Sequence, residues 1–194
     1  MNNIIENILT RRSIRSYKED QISETDLNTI LEAAKYAPNG SNSQSWHFTV
    51  IQNREKLERL NSVIREAFKE LIIDDKTYAA KKSGKKASES KSYNFYYHAP
   101  TLVIVSNDVE YCNAMADCST ALENIFLAAH SLDLGSCWIN QVAWLCNFTK
   151  VREMLTELGI PENYVVCGAA ALGYNLGDVR NASPRKEGTV NIVK

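Results

Sequence analysis

The stretch "YVVCGAAALGY" at 164–174 constrains the fold more than any other part of the chain. It carries no charged side chain, has two β-branched valines after Tyr164 and continues through small residues. Such a run reads as a central strand entering a turn. "TLVIV" at 101–105 is a second buried strand. Cys118, Leu122, Ile125, Phe126, Ala129 and Leu132 repeat at helical spacing and mark the strongest helix, with Gly135 as its expected stop. A charge-free central strand needs neighbours on both edges and helices over its faces.

The rest of the chain supplies them. Ile4, Ile5, Ile8 and Leu9 predict a short first helix. Ser23 followed by Asp26 resembles a capping box that starts a helix with Leu27, Ile30, Leu31 and Ala34 inward, ended by Pro38. "PNGSNSQS" is a polar run of turn formers, and "HFTVIQ" after it reads as a strand. A further helix is predicted over Glu55 to about Ile73, and "VREMLTEL" is another, stopped by Gly159 and Pro161. Asp74 to about Tyr93 shows no apolar period and holds six lysines, so it is expected to be a mobile, basic surface segment. The tail "PRKEGTVNIV" is expected to end in a short β-prone piece. With no internal repeat and no linker, the 194 residues form one domain (1–194) of class α+β, one sheet covered by helices.

A formal net charge of -1, with no matching motif, argues against a nucleic-acid binder. No run approaches the length of a membrane span, and "MNNIIENILTRR" lacks the pattern of a signal peptide, so the expected location is the cytoplasm. Cys112, Cys118, Cys137, Cys146 and Cys167 form no Cys-x-x-Cys pair and do not cluster with His47, His98 and His130. They read as reduced, buried thiols, and no metal site is expected.

Four pieces carry chemistry. "TRRSIRSY" gathers Arg11, Arg12 and Arg15 around Ser13; in an extended stretch residues 11, 13 and 15 point one way, and guanidinium groups grip a phosphate through paired hydrogen bonds. The same residues also suit a solvated helix end. Asn39, Ser41, Asn42, Ser43 and Gln44 form a row of amides and hydroxyls able to bond the edge of a polar planar ligand, or simply a polar turn. "LDLGSCWINQ" offers backbone amides beside Trp138, or a plain helix-to-strand connection. "SPRKEG" adds Arg185 and Lys186, or a solvated tail.

Taken in order, "RRSIRSY", "NSQSWHF" and "LGSCWI" resemble the nitroreductase family of FMN-dependent oxidoreductases, from about Ile4 to Val190. The resemblance implies a mixed central sheet flanked by helices, an intertwined homodimer, and FMN at the dimer interface. It places Arg11 and Ser13 on the phosphate and ribityl chain, Arg12 in the same motif, and Arg15 near the flavin pyrimidine edge. Asn39, Gly40 and Ser41 match a segment supplied by the partner subunit, with Asn42 and Gln44 next to it. Trp138, Ile139, Asn140 and Gln141 match the backbone that passes the isoalloxazine, and Arg185 a cation returning to the phosphate. It further implies electrons passing from NAD(P)H through the flavin to a small-molecule acceptor, nitroaromatic, quinone or similar, in a ping-pong cycle without a catalytic side chain. A dehydrogenase-like or dehalogenase-like flavin reaction and a non-catalytic flavin-binding role are the alternatives. Two departures stand out. Ser45 occupies a position where members often have proline, and Asn140 and Gln141 follow "CWI" where glycine is common.

Overall fold

The computed structural model describes residues 2–179 and 181–194. Seven α-helices and four strands are found among them: α1 (Asn3–Thr10), α2 (Glu24–Lys35), β1 (His47–Ile51), α3 (Arg54–Glu70), α4 (Ala79–Ser88), β2 (Thr101–Asp108), α5 (Ala114–Ser131), β3 (Gly135–Ile139), α6 (Gln141–Leu145), α7 (Thr149–Glu157) and β4 (Tyr164–Gly173). Helix starts are built locally. Asn2, Ser23 and Asn53 each accept a backbone N–H three residues on, closing the first turns of α1, α2 and α3. Ser23 Oγ also donates to Asp26 Oδ2 at 2.7 Å, a variant of the predicted box.

The sheet has the order β1-β2-β4-β3 with antiparallel pairing throughout. Parallel pairing enters at its edge, where Ser13 bridges to Ser136. β4 is central, as its composition predicts. Alternation along β2 and β4 divides the core in two. Leu102, Ile104, Ala169 and Ala171 face α3, α6 and α7, including Leu60, Ile64 and Phe68. Val103, Val105, Ala170 and Leu172 face α2 and α5, including Ile30, Leu122 and Ile125. A Cβ at Gly168 would stand 2.9 Å from Leu122 Cδ1 and 3.0 Å from the Trp138 ring. The small residues of β4 therefore let α5 and Trp138 close on the sheet.

Five expectations are corrected, the first being Cys112, which is exposed while the other four cysteines are buried. The basic stretch 74–93 contains helix α4. Its apolar period is hidden because the contact runs through Gly84, where a Cβ would meet Phe68 at 3.1 Å and Trp144 at 3.5 Å. Lys85 Nζ donates to the carbonyls of Lys69 (3.1 Å) and Leu71 (2.5 Å), at the C-terminal end of α3. "GSCWI" is not a turn but the edge strand β3. α5 stops at Ser131, and the left-handed turn falls on Asp133 (φ 57°), not on Gly135. Gly135 is needed instead for close approach, since a Cβ there would lie 2.9 Å from Ile14 Cγ2. The tail forms no strand, and Val190, Ile192 and Val193 are exposed.

Candidate functional site

The RRSIR segment lies against the outer edge of β3. Ile14 N donates to Ser136 O at 2.9 Å. Because backbone groups alternate along a strand, the N–H and C=O of Trp138 face the same edge as those of Ser136, away from β4. Beyond Ile14 the chain is pinned. Tyr17 Oη donates to Ile14 O at 2.7 Å, and the Leu176 N–H to Ser16 O at 3.0 Å. Arg15 thus projects from a fixed backbone, its guanidinium carbon 5.8 Å from the centre of the Tyr97 ring.

The three arginines divide. Arg12 Nη1 turns back to Leu9 O (2.8 Å) and Arg11 O (2.5 Å), closing the C-terminus of α1. Among the described residues, no carboxylate forms an ion pair with Arg11, Arg12 or Arg15. Positive charge gathered without a counter-charge favours an anion. The same field reaches His130, whose Nε2 stands 2.9 Å from Thr10 Oγ1; burial, then Arg11, depress its pKa below the ordinary 6.5. Burial pushes the Cys137 thiol up, with Arg15 and Arg11 opposing.

Beyond β3, Trp138 Nε1 donates to Asn140 Oδ1 at 2.7 Å. Gln141 begins α6 and turns its Oε1 back to the Asn140 N–H at 3.2 Å. Tyr93 Oη is buried without a hydrogen-bond partner, beside Gln141. Burial pushes that hydroxyl's pKa up, with Gln141 opposing.

The loop at 39–44 stands apart. Gly40 N donates to both oxygens of Asp117 (3.2 and 3.1 Å), and Tyr111 Oη donates to Asp117 Oδ2 at 2.9 Å. Thr120 Oγ1 donates to Pro38 O at 2.9 Å. Ser41, Asn42 and Gln44 all have φ near 50°, a conformation non-glycine residues enter at a cost. Gly40 admits no side chain, since a Cβ would lie 2.6 Å from both Tyr111 Oη and Asn113 Nδ2. This clamp sits at the N-terminal end of α5, while Thr10 docks at His130 near the other end. Thirteen helical steps separate Asp117 from His130, about 20 Å.

One chain therefore lays Arg11, Ser13 and Arg15 along the edge of β3, the strand that leads into Trp138, Ile139, Asn140 and Gln141, and anchors Asn39, Gly40, Ser41, Asn42 and Gln44 elsewhere, at the N-terminal end of α5. Arg185 stands exposed in the tail, with no hydrogen bond to the arginine segment among the described residues. Asp117, Tyr111, Asn94 and Tyr97 escaped the sequence reading. A signal existed for Asp117 alone: it shares the inward face of α5 with Ala114, Cys118 and Ala121, where an acid needs partners.

A helix-covered antiparallel sheet whose open edge carries unpaired guanidinium groups defines an α+β domain suited to an anionic, planar ligand. The sequence model of the Nitroreductase family matches residues 8–174, and the chain belongs to that family. An Archaeoglobus fulgidus protein provisionally named NADH dehydrogenase/NAD(P)H nitroreductase is 35% identical over 179 residues, covering 90% of this chain and 86% of the other. A Bacteroides fragilis nitroreductase solved with bound FMN is 47% identical, with a TM-score of 0.90 and full coverage of both chains. Iodotyrosine deiodinase, solved with FMN and 3-iodo-L-tyrosine, shares the fold at 20% identity and a TM-score of 0.74, over 97% of each chain.

Proposed function

We propose that the protein is an FMN-dependent oxidoreductase that passes electrons from NAD(P)H to nitroaromatic, quinone or similar small acceptors. The observation that carries the reading is the Ser13–Ser136 bridge, which lays an arginine wall without counter-charge along the open edge of β3. The donor set fits FMN. Arg11 and Ser13 supply charge and a hydroxyl for a phosphate and ribityl chain, Arg15 a cation for a ring edge that gains negative charge, and the Trp138 edge a backbone donor and acceptor. The chemistry of hydride acceptance and release is the flavin's own. The protein's residues bind, orient and polarise it, and no side chain is assigned as acid, base or nucleophile. One open pocket that admits donor and acceptor in turn corresponds to a ping-pong cycle.

A homodimer completes the reading. The clamped loop at 39–44 is too far along α5 to reach its own chain's arginine wall, so it serves the site of a second copy. Two further features support self-association. Ile4 (71% exposed), Ile5, Ile8 and Leu9 form an uncovered apolar stripe on α1. Beside it, α1, α2 and α5 frame a groove of about 950 Å³. Among the described residues no helix is long and apolar enough to cross a membrane, and the reading needs no membrane partner.

The test is anaerobic titration of the purified protein after FMN loading, with NADH and NADPH separately, followed by a nitroaromatic or a quinone. A flavin spectrum bleached by a nicotinamide and restored by the acceptor is the expected result. Protein that takes up no FMN overturns the reading. Bound flavin that neither nucleotide reduces leaves a flavin-binding role without this turnover.

A further inference from the structure

The turn between α4 and β2 holds an aromatic ring under Arg15 at an evident conformational cost. Tyr97 and His98 both adopt φ near 57°, and neither is glycine. Asn94 fixes the turn: its Oδ1 accepts from the N–H groups of Tyr96 (3.2 Å) and His98 (2.8 Å). The Tyr97 N–H in turn donates to Asn94 O at 3.3 Å. The two left-handed residues reverse the chain, leaving Phe95 and Tyr96 in the core and Tyr97 half-buried beside Arg15. The adjoining cavity, of about 340 Å³, is lined by Arg15, Ser16, Ser92, Asn94, Tyr97 and His98 among others, and no carboxylate lines it.

We propose that Tyr97 is a positioning residue that orients Arg15 through its ring, so that Arg15 keeps its full positive charge for the cofactor and raises the flavin's reduction potential. The inference rests on the flavin reading above. A carboxylate in the place of Tyr97 would also hold a guanidinium, but would cancel its charge. An aromatic face attracts a cation through its quadrupole and leaves the net charge intact. That charge matters on reduction. Two electrons and one proton, delivered together as hydride by the nicotinamide, leave one net negative charge on the pyrimidine side of the flavin ring. Arg15, anchored at its backbone by the Ile14–Ser136 bond and free along its side chain, needs a second surface to face that edge. Tyr97 is that surface, and Asn94 sets its angle.

The test is the two-electron midpoint potential of the FMN-saturated protein, with FMN affinity measured alongside. Tyr97→Leu keeps bulk and removes the quadrupole. It is expected to weaken the preference for reduced over oxidised FMN about tenfold, which is about 30 mV more negative for a two-electron couple. Tyr97→Phe keeps the ring and removes only the hydroxyl, which also approaches the Arg15 guanidinium, so it should shift the potential by less than half as much as Leu. Tyr97→Trp, with the stronger quadrupole, should match or exceed it. In an Arg15→Gln background the Leu substitution should cause no further shift. An unchanged potential in the Leu variant overturns the proposal, as does a Phe variant that shifts as far as Leu. Should the Leu variant not fold, a negative shift in the Trp variant overturns it equally. Wild-type protein that binds no FMN would overturn the flavin reading itself. Wild-type protein with a normal flavin cycle and Leu-insensitive potential would remove only the role of Tyr97.

Discussion

Trp138 and Asn140 are tied side chain to side chain, the indole N–H donating to Oδ1 at 2.7 Å. The asparagine holds the indole rather than projecting its side-chain oxygen along the strand edge. Asn140→Ala should therefore act mainly on stability, at about 1–2 kcal/mol for a half-buried donor left without its partner. FMN affinity should change by less than about threefold, under 1 kcal/mol. Urea denaturation and flavin-fluorescence titration measure the two separately.

Arg11 and Arg12 are neighbours with different tasks. Arg11→Ala should weaken FMN binding by roughly ten- to a hundredfold, the loss of a charge-assisted bond, with the fold intact. Arg12→Ala should do the reverse. It removes the bonds that close α1 and lowers stability by about 0.5–1.5 kcal/mol, with a smaller effect on FMN. A thermal melt of the apo-protein and a binding titration, run on both variants, check the crossover.

Asp117 is buried and joins Gly40 and Tyr111. Asp117→Ala should cost about 1–3 kcal/mol, since it strands the Gly40 N–H and leaves Tyr111 Oη only its second acceptor, Gly40 O at 3.2 Å. It should also release the strained loop at 39–44. Faster amide hydrogen exchange confined to residues 39–44, with weaker FMN binding by the folded fraction, is the expected pair of results.

His130 reports on the arginine wall. Its pKa is depressed in the folded chain, by burial first and then by Arg11, so below pH about 6.5 the unfolded chain binds the extra proton more readily. Stability should be fully present above pH 6.5 and decline as pH falls through the folded pKa. Solvent screening of this partly exposed group keeps the decline small. His130→Gln should flatten that slope. An anion beside Arg11 offsets the field, so saturating FMN should raise the His130 pKa in an NMR titration. An unmoved His130 would count against phosphate at Arg11.

The lysines of α4 are not equivalent. Lys85 closes the end of α3, and Lys82 Nζ reaches Asp75 O at 3.3 Å. Lys85→Met should lower stability by about 1 kcal/mol. A Lys81→Gln, Lys86→Gln double variant should leave stability within about 0.5 kcal/mol of wild type. If these charges steer a phosphorylated nicotinamide, the double variant will lose NADPH over NADH preference at low salt and not at high salt.

Most of the elements and the chemistry on offer were legible in local spacing, while α4 and β3 were not. Charge-free β4, the periodic α5, the Ser23 cap and the cluster of arginines are short-range facts, set by side-chain spacing and local hydrogen bonding. The family resemblance could rest on them because their order survives without coordinates. Only the tertiary structure decided which pieces meet. Ser13 runs against Ser136, 123 positions away, because β3 is an edge strand whose outer side was free to pair. The loop at 39–44 is held at Asp117, about 20 Å along α5 from His130, where Thr10 docks, because α5 is a rigid rod that fixes the two anchor points apart. Arg12 and Lys85 read as free cations in the sequence and became helix closures once α1 and α3 ended beside them. Tyr97, Asn94 and Tyr111 had no local signature at all. Their roles depend on which side chains packing places within a few ångströms, and no spacing along the chain encodes that distance.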